Sequence, residues 1–531
     1  MKKSVLYFGF LVLIGYTAAA QDKNAIKFSQ TINKDNAYKH LSVLASDAFE
    51  GRETGTPGGW KAADYIRDHF KAIGLRGPVE GGYFQPVDMA NYSLSQILTV
   101  DGQPAEALKE FYIMPQSVTD KGFMLNAPSV LFAGYGSDKE FEGQNVTGKI
   151  VMILRSEPGS KAVTTSVSGA RSGTAPLNAK LKYLAAQKAA AVLLIDPSLD
   201  NMPDALKTYL QTPQLVMKSP ENLAKMSVPQ TIPVLTIGTV AANKILSGSG
   251  TTLDALVSKM TDSGKPATQE IKICVSISAS KTEKSVRAEN VLGFLEGSDP
   301  KLKKEVLVVT GHYDHIGITP DAEGDDKINN GADDDGSGTT GVLMVAEAFA
   351  KAKKAGKGPK RSILFMTVTG EEKGLLGSEW YSEHPIFPLE KTITNLNIDM
   401  IGRGDKDHAA DNNFVYIIGS DMLSSDLDRI GKKANKNYVN IVLDERYNNR
   451  TDPNRFYYRS DHYNFAKHGI PVIFYFNGVH EDYHKPSDEI SKIDFPMLAK
   501  RARLVYFTAW ELANGLKRPV VDKDDDGAPK K

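Results

Sequence analysis

The chain has 531 residues, more than one ordinary domain holds, so about two to four domains are expected. Hydrophobic residues make up 41% and charged residues 24%, the mix of a globular protein in water. Lys+Arg and Asp+Glu are equal at 64 each, which excludes the basic surplus expected of a nucleic-acid binder or an anionic-membrane binder.

In chain order, Lys2 and Lys3 precede an apolar run from Val5 to Tyr16, and Ala18, Ala19 and Ala20 stand before Gln21. A basic start, a short apolar core and small residues before a polar one predict a secretory signal over 1–20, cut after Ala20. The run is shorter than the ~20 apolar residues a membrane span needs, and no later stretch is long enough. The reading is an exported chain without stable membrane insertion, in the periplasm or the extracellular medium. The one cysteine, Cys274, lies where residues alternate as in a strand. It is read as a small buried hydrophobe, and one cysteine forms no intramolecular disulfide.

Residues 21–125 are read as an N-terminal helical segment packing on the catalytic domain. Apolar residues recur at three-and-four spacing over Asn33–Leu44 and Gly59–Ile73, with Gly74 as C-cap. From 126 to 270 short β runs dominate: Val130 to Ala133, Lys149 to Leu154, Ala190 to Ile195 and Ile232 to Ile237, with a helix over Leu177–Lys188. Ser156 to Ala175, rich in Ser, Gly and Thr, is expected to be a mobile loop. The order of Ala133 to Gly136, Val146 to Val151, the helix, Ala189 to Ile195 and Ile232 to Leu235 resembles a protease-associated (PA) domain.

Residues 271–517 alternate strand and helix patterns. Strands are expected at 271–278, 305–310, 362–368, 394–399, 414–418 and 471–476, with helices near 338–354, 374–382, 423–434 and 495–515. Such alternation predicts an α/β fold, a doubly wound, mostly parallel sheet with helices on both faces. The polar stretch 518–531 is expected to be a disordered tail.

The strand ends of this region carry the chemistry. After 305–310 come His312, Asp314 and the Asp333-Asp334-Asp335 triplet; after 362–368, Gly370, Glu371 and Glu372; after 394–398, Asp399; after 471–476, His480 and His484. Ligands of open α/β sheets sit outside the carboxyl ends of the strands. Eight of the ten histidines fall between 312 and 484. Imidazoles with carboxylates and no thiol suit zinc or another divalent transition metal, and this many donors exceed the need of one tetrahedral ion. Ser337 has no adjacent base, which argues against a serine nucleophile.

Several motifs together resemble the M28 family of zinc peptidases, the dizinc aminopeptidase type: His312-Tyr313-Asp314, Gly331 to Gly338, Gly370 to Gly374, Asn397 to Met400 and Tyr483-His484. The resemblance implies two Zn2+ per chain. His312 and Asp399 would hold one, Glu372 and His484 the other, and Asp334 would bridge. Glu371 would be general base and then acid, Asp314 would orient His312, and Tyr483 would stabilise the oxyanion. His315 and His480 are read as loop or rim residues, and Asp461 as a support behind the metals. His462 is read as such a support or a packing residue. Arg403, Arg455 and Arg459 are solvated surface or contacts for a substrate carboxylate. The implied function is an exopeptidase attacking peptide substrates with a hydroxide held between the metals, an aminopeptidase first. Alternatives are a carboxypeptidase or dipeptidase, a glutaminyl-cyclase-like enzyme of the same fold, or a non-catalytic PA-domain binding protein.

Overall fold

A computed structural model describes residues 21–80, 82–156, 175–227, 232–265, 267–524 and 529–530. The expected signal, and nearly all of the loop expected over 156–175, fall outside these. The chain forms two compact units, one of residues up to Val87 and from Arg287 onwards, the other Asp88–Val286.

The first unit opens with helices α1 (Lys23–Ser29), α2 (Lys34–Leu44) and α3 (Pro57–Ala72). Asn33 caps α2 by accepting from the Asp35 and Asn36 amides. Helix α3 starts two residues earlier than the apolar spacing suggests. Thr56 caps it and Pro57 occupies the first turn, where a missing N–H costs nothing. Gly74 follows with φ +84, the left-handed cap expected there. The buried face of α2 is Ala37, His40, Leu41 and Leu44, a helical stripe that includes a histidine.

Eight strands make the sheet of this unit: β1 (Phe84–Pro86), β2 (Glu289–Leu295), β3 (Val306–His312), β4 (Ser362–Val368), β5 (Thr392–Ile398), β6 (Phe414–Ile418), β7 (Val442–Asp444) and β8 (Val472–Phe476). Their order is β1-β2-β4-β3-β5-β8-β6-β7. The central four, β4-β3-β5-β8, are parallel; β1, β2 and β6 join antiparallel to their inner neighbours. Strand β3 is buried throughout, as a strand covered on both faces must be. Leu307 and Val309 pack into the core of α2, α4 (Gly338–Lys354) and α8 (Phe495–Asn514). Val306 and Val308 point the other way, to Tyr381 of α5 (Leu376–Glu383) and Phe465 of α7 (His462–Ala466). The doubly wound architecture read from the strand–helix alternation is the fold.

Strand β2 escaped the sequence reading because Glu289, Asn290 and Gly293 dilute its apolar run. Gly293 is required there, since a Cβ would stand 2.7 Å from Leu75 and 2.8 Å from Phe70. The tail expected to be disordered from 518 is tied down over 518–524. Arg518 donates to the Glu390 and Thr392 carbonyls, and Lys523 pairs with Asp421 at 3.1 Å.

In the second unit, strands 268–271, 130–133, 150–154, 191–195, 234–237 and 111–113 form a six-stranded sheet in that order. A separate antiparallel sheet is built on the twelve-residue pairing of Met89–Val100 with Val275–Val286. This unit is wider than 126–270. Its strands between 89 and 127 had been placed in a helical N-terminal segment, and the strand expected at 271–278 belongs here rather than to the catalytic sheet. Cys274 lies in the break between strands 268–271 and 275–286 and is exposed, not buried.

Candidate metal centre

The parallel order β4-β3-β5-β8 puts four carboxyl-terminal strand ends side by side. His312 is the last residue of β3, Glu371 and Glu372 follow β4, Asp399 follows β5, and Tyr483 and His484 sit in the loop after β8. Asp334 arrives from the turn before α4, and its peptide with Asp335 is cis. That turn needs Gly331, at φ +53. A Cβ there would lie 2.2 Å from the Asp334 carbonyl and 2.5 Å from the His315 ring.

The side chains form two clusters that share one carboxylate. His312 Nε2 is 3.3 Å from Asp334 Oδ1 and 3.6 Å from Asp399 Oδ1. His484 Nε2 is 3.1 Å from Asp334 Oδ2 and 3.0 Å from Glu372 Oε2. Ligand atoms ~2.0–2.2 Å from a tetrahedral zinc lie ~3.3–3.6 Å from one another, a spacing the first cluster matches, while the second is slightly tighter. Glu371 stands beside the first cluster, with Oε2 3.9 Å from His312 Nε2.

The electrostatics agree with a cation-seeking site. Burial raises the Glu371 carboxyl well above the ordinary range, and Asp399 and Glu372 add to the rise. Burial works to raise Asp334 too, but the hydrogen bonds of His312 and His484 hold it well below its ordinary value. Burial works to lower His484, yet Asp334 and Glu372 lift it to about 10. Without a metal, the carboxylates keep protons on the imidazoles.

A supporting layer fixes these groups. His312 Nδ1 is held at 3.0 Å by the main-chain carbonyl of Asp314, whereas the Asp314 carboxylate is 3.8 Å away. That carboxylate instead accepts from the Glu371 amide (3.2 Å) and from Thr54 Oγ1 (3.0 Å). Asp314 therefore orients the ring through its backbone and Glu371 through its side chain. Ser460 Oγ donates to Asp399 Oδ2 (2.7 Å) and accepts from Asn397 (2.8 Å). Asp335 accepts from the His312, Gly338 and Met400 amides, and Asp488 from the Asp333 and Asp334 amides.

Three parts were missed by sequence reasoning. His315 is no rim residue: it is buried, with Nδ1 2.7 Å from Glu372 Oε1. His480 is buried as well, with Nε2 3.3 Å from Asp333 Oδ2 and Arg403 on its other nitrogen. Arg52 is buried under the aspartate turn and donates to the carbonyls of Tyr313, Leu44, Asn330 and Gly331 at 2.6–2.9 Å. The signal for Arg52 was a lone cation in the Gly-rich loop Glu50 to Gly59.

The remaining candidates fall into place. His462 is a packing residue, stacked on Phe474. Burial pushes the Asp461 carboxyl up to about 7. Arg403 is engaged by Asp482 at 2.7 Å, and Arg455 is exposed beside Tyr458. Arg459 lines a small cavity of about 30 Å3 with His312, Asp334, Glu371, Asp399 and Tyr483, closed by Met400, Phe456, Phe474, Phe476 and Val479.

Residues 290–509 match the family model described as Peptidase family M28. It is similar to a "Probable zinc metalloprotease" of Pyrenophora teres f. teres, 28% identical over 49% of this chain and 58% of that one. It is also similar to a "Probable leucine aminopeptidase" of Arthroderma benhamiae, 29% identical over 40% and 56%. The chain thus spans a little over half the length of these curated relatives. Among solved structures, an aminopeptidase from Aneurinibacillus sp. strain AM-1 aligns over 94% of this chain and 98% of its own at 19% identity, with a TM-score of 0.49.

Proposed function

We propose that the chain is an exported zinc exopeptidase of the aminopeptidase type that takes residues from peptide N-termini. The observation that carries this is the shared carboxylate, Asp334, between two clusters of donors, with the burial-raised Glu371 beside them. His312 and Asp399 would hold one ion, Glu372 and His484 the second, and Asp334 both. The ions, when bound, would polarise the scissile carbonyl and lower the pKa of the attacking water. Glu371 takes that water's proton and passes it to the leaving amine, a role suited to a carboxyl whose pKa is shifted upward. Asp314 holds the Glu371 backbone in place, and Tyr483, on the wall of the same cavity, faces the oxyanion.

The apolar wall of Met400, Phe456, Phe474, Phe476 and Val479 supports a neutral apolar first residue. A second reading, a dipeptidase or carboxypeptidase, has one observation in its favour: Arg459 lines the same cavity and would pair with a substrate carboxylate. In the second unit, the adjacent parallel strands 130–133, 150–154, 191–195 and 234–237 support a PA-like insert. No helix among the described residues is long and apolar enough to cross a membrane.

The test is mass spectrometry of a mixed peptide set incubated with the mature protein, with and without a chelator. Chelator-sensitive loss of apolar residues from N-termini is expected. Loss from C-termini would move the assignment to the second reading, and no cleavage by protein carrying metal would overturn both.

A further inference from the structure

A third cluster of metal donors lies in the first unit, among helices rather than at the strand ends. His40 of α2, His69 of α3 and Glu347 of α4 meet in the interior. His40 is fully buried, and the side chains of His69 and Glu347 are each 9% exposed. We propose that these three side chains bind a divalent transition metal, zinc by donor type, which cross-links α2, α3 and α4. The proposal is independent of the peptidase reading.

The geometry carries it. Glu347 Oε1 faces both imidazoles, 3.4 Å from His40 Nε2 and 3.5 Å from His69 Nε2. A charge-assisted hydrogen bond would draw one nitrogen to ~2.7–2.9 Å. Neither is drawn in, and both distances match the edge of a zinc tetrahedron, ~3.3–3.6 Å. His69 Nε2 is buried with no hydrogen-bond partner, an arrangement that costs free energy unless something occupies that lone pair.

The outer groups are those a metal site uses. His40 Nδ1 is 2.8 Å from the Tyr65 hydroxyl, and where Nδ1 donates to that oxygen the lone pair of Nε2 is left to ligate. His69 has its own hydrogen bond to the Leu343 backbone. Glu347 Oε2 accepts from Asn36 Nδ2 at 2.7 Å, which leaves Oε1 to the two imidazoles. The remaining coordination position has a route to water: Asn36 and Glu347 line a cavity of about 800 Å3. Three protein ligands with two aromatic nitrogens and no thiol suit zinc over calcium or magnesium.

Such a site would brace the N-terminal helices against α4, which directly follows the turn that carries Asp334. It is formed by residues 29 positions apart in the N-terminal helices and one far away in sequence, so no local motif announces it.

The test has two arms, both on the full mature chain. Zinc-loaded wild-type crystals measured at the zinc absorption edge should show an anomalous peak among His40, His69 and Glu347, apart from those at the strand ends. No such peak in crystals with zinc at the strand ends overturns the proposal. In solution, His69→Gln should retain one metal equivalent fewer per chain than wild type after loading and desalting. It should also lose the part of the chelator-induced drop in Tm that this ion supplies. A folded His69→Gln, or Glu347→Gln if the first fails to fold, with wild-type stoichiometry also overturns it.

Discussion

Asp334 turns its two carboxylate oxygens in different directions, Oδ1 to His312 at 3.3 Å and Oδ2 to His484 at 3.1 Å. One residue thereby joins the end of β3 to the loop after β8. Asp334→Asn removes an anionic donor from both clusters at once, so bound zinc and peptidase activity should fall together. Glu371→Gln touches neither cluster's donors. Its expected outcome is unchanged zinc per chain with kcat lowered by roughly 10²–10⁴. Metal analysis beside single-substrate kinetics separates the two; loss of metal from Glu371→Gln would contradict its role as a base.

Ser460 anchors the oxygen of Asp399 that faces away from His312. Outer partners of ligating carboxylates typically contribute about 10–100-fold to metal affinity. Ser460→Ala should weaken zinc binding by that factor and leave the fold intact. Competition with a chelator of known affinity measures it, and an unchanged Kd would remove Ser460 from the centre.

Zinc uptake should depend steeply on pH. Burial opposes protonation of both histidines, but Asp334 and Glu372 hold His484 near 10 and Glu371 and Asp399 hold His312 well above its ordinary value. Both imidazoles are therefore protonated in the metal-free protein at neutral pH, and each must shed a proton to ligate. Affinity should fall as pH falls below these raised values, by about tenfold per unit for each proton released. Calorimetry in buffers of different ionisation enthalpy counts the protons; a count of zero would contradict this reading.

Arg52 supports the aspartate turn with four short hydrogen bonds to main-chain carbonyls. Arg52→Leu leaves buried acceptors without donors and should cost about 3 kcal/mol of stability, read from urea unfolding. Arg52→Lys should recover only part, because an ammonium lacks the planar fork. Folded Arg52→Lys should also bind zinc less tightly, since the turn carrying Asp334 loses donors.

His462 sits fully buried against Phe474 and Tyr457, and burial lowers it to about 3. Unfolded, it would titrate near 6.5. Its native form is neutral, so its contribution to stability is complete above the unfolded value and is lost as pH drops from about 6.5 towards 3. The loss amounts to up to about 5 kcal/mol. His462→Phe should flatten stability against pH across that window; an unchanged slope would assign acid sensitivity elsewhere.

The donor set was legible because the chemistry of each strand end is local. A hydrophobic run terminating in His312, Glu371, Asp399 or the His484 loop marks both a buried strand and the group at its carboxyl end. The parallel sheet followed from the alternation of strands and helices. Local pattern is silent where a partner comes from far along the chain. His315 reads as a loop or rim residue until Glu372 is seen beside it, and nothing local to Arg52 announces the five carbonyls around its guanidinium. The second unit's boundary was misplaced for the same reason: Met89–Val100 pairs with Val275–Val286, and nothing in either strand names the other.

By itself, then, the sequence determined which side chains end the strands and hence which ion chemistry the chain is equipped for. Only the tertiary structure decided how that chemistry is held. It sets the direction of each Asp334 oxygen, gives the Asp314 carboxylate to Glu371 rather than to His312, and brings His40, His69 and Glu347 together. Those outcomes depend on burial and on contacts between distant segments, whose energies belong to the packed chain and not to any stretch of it.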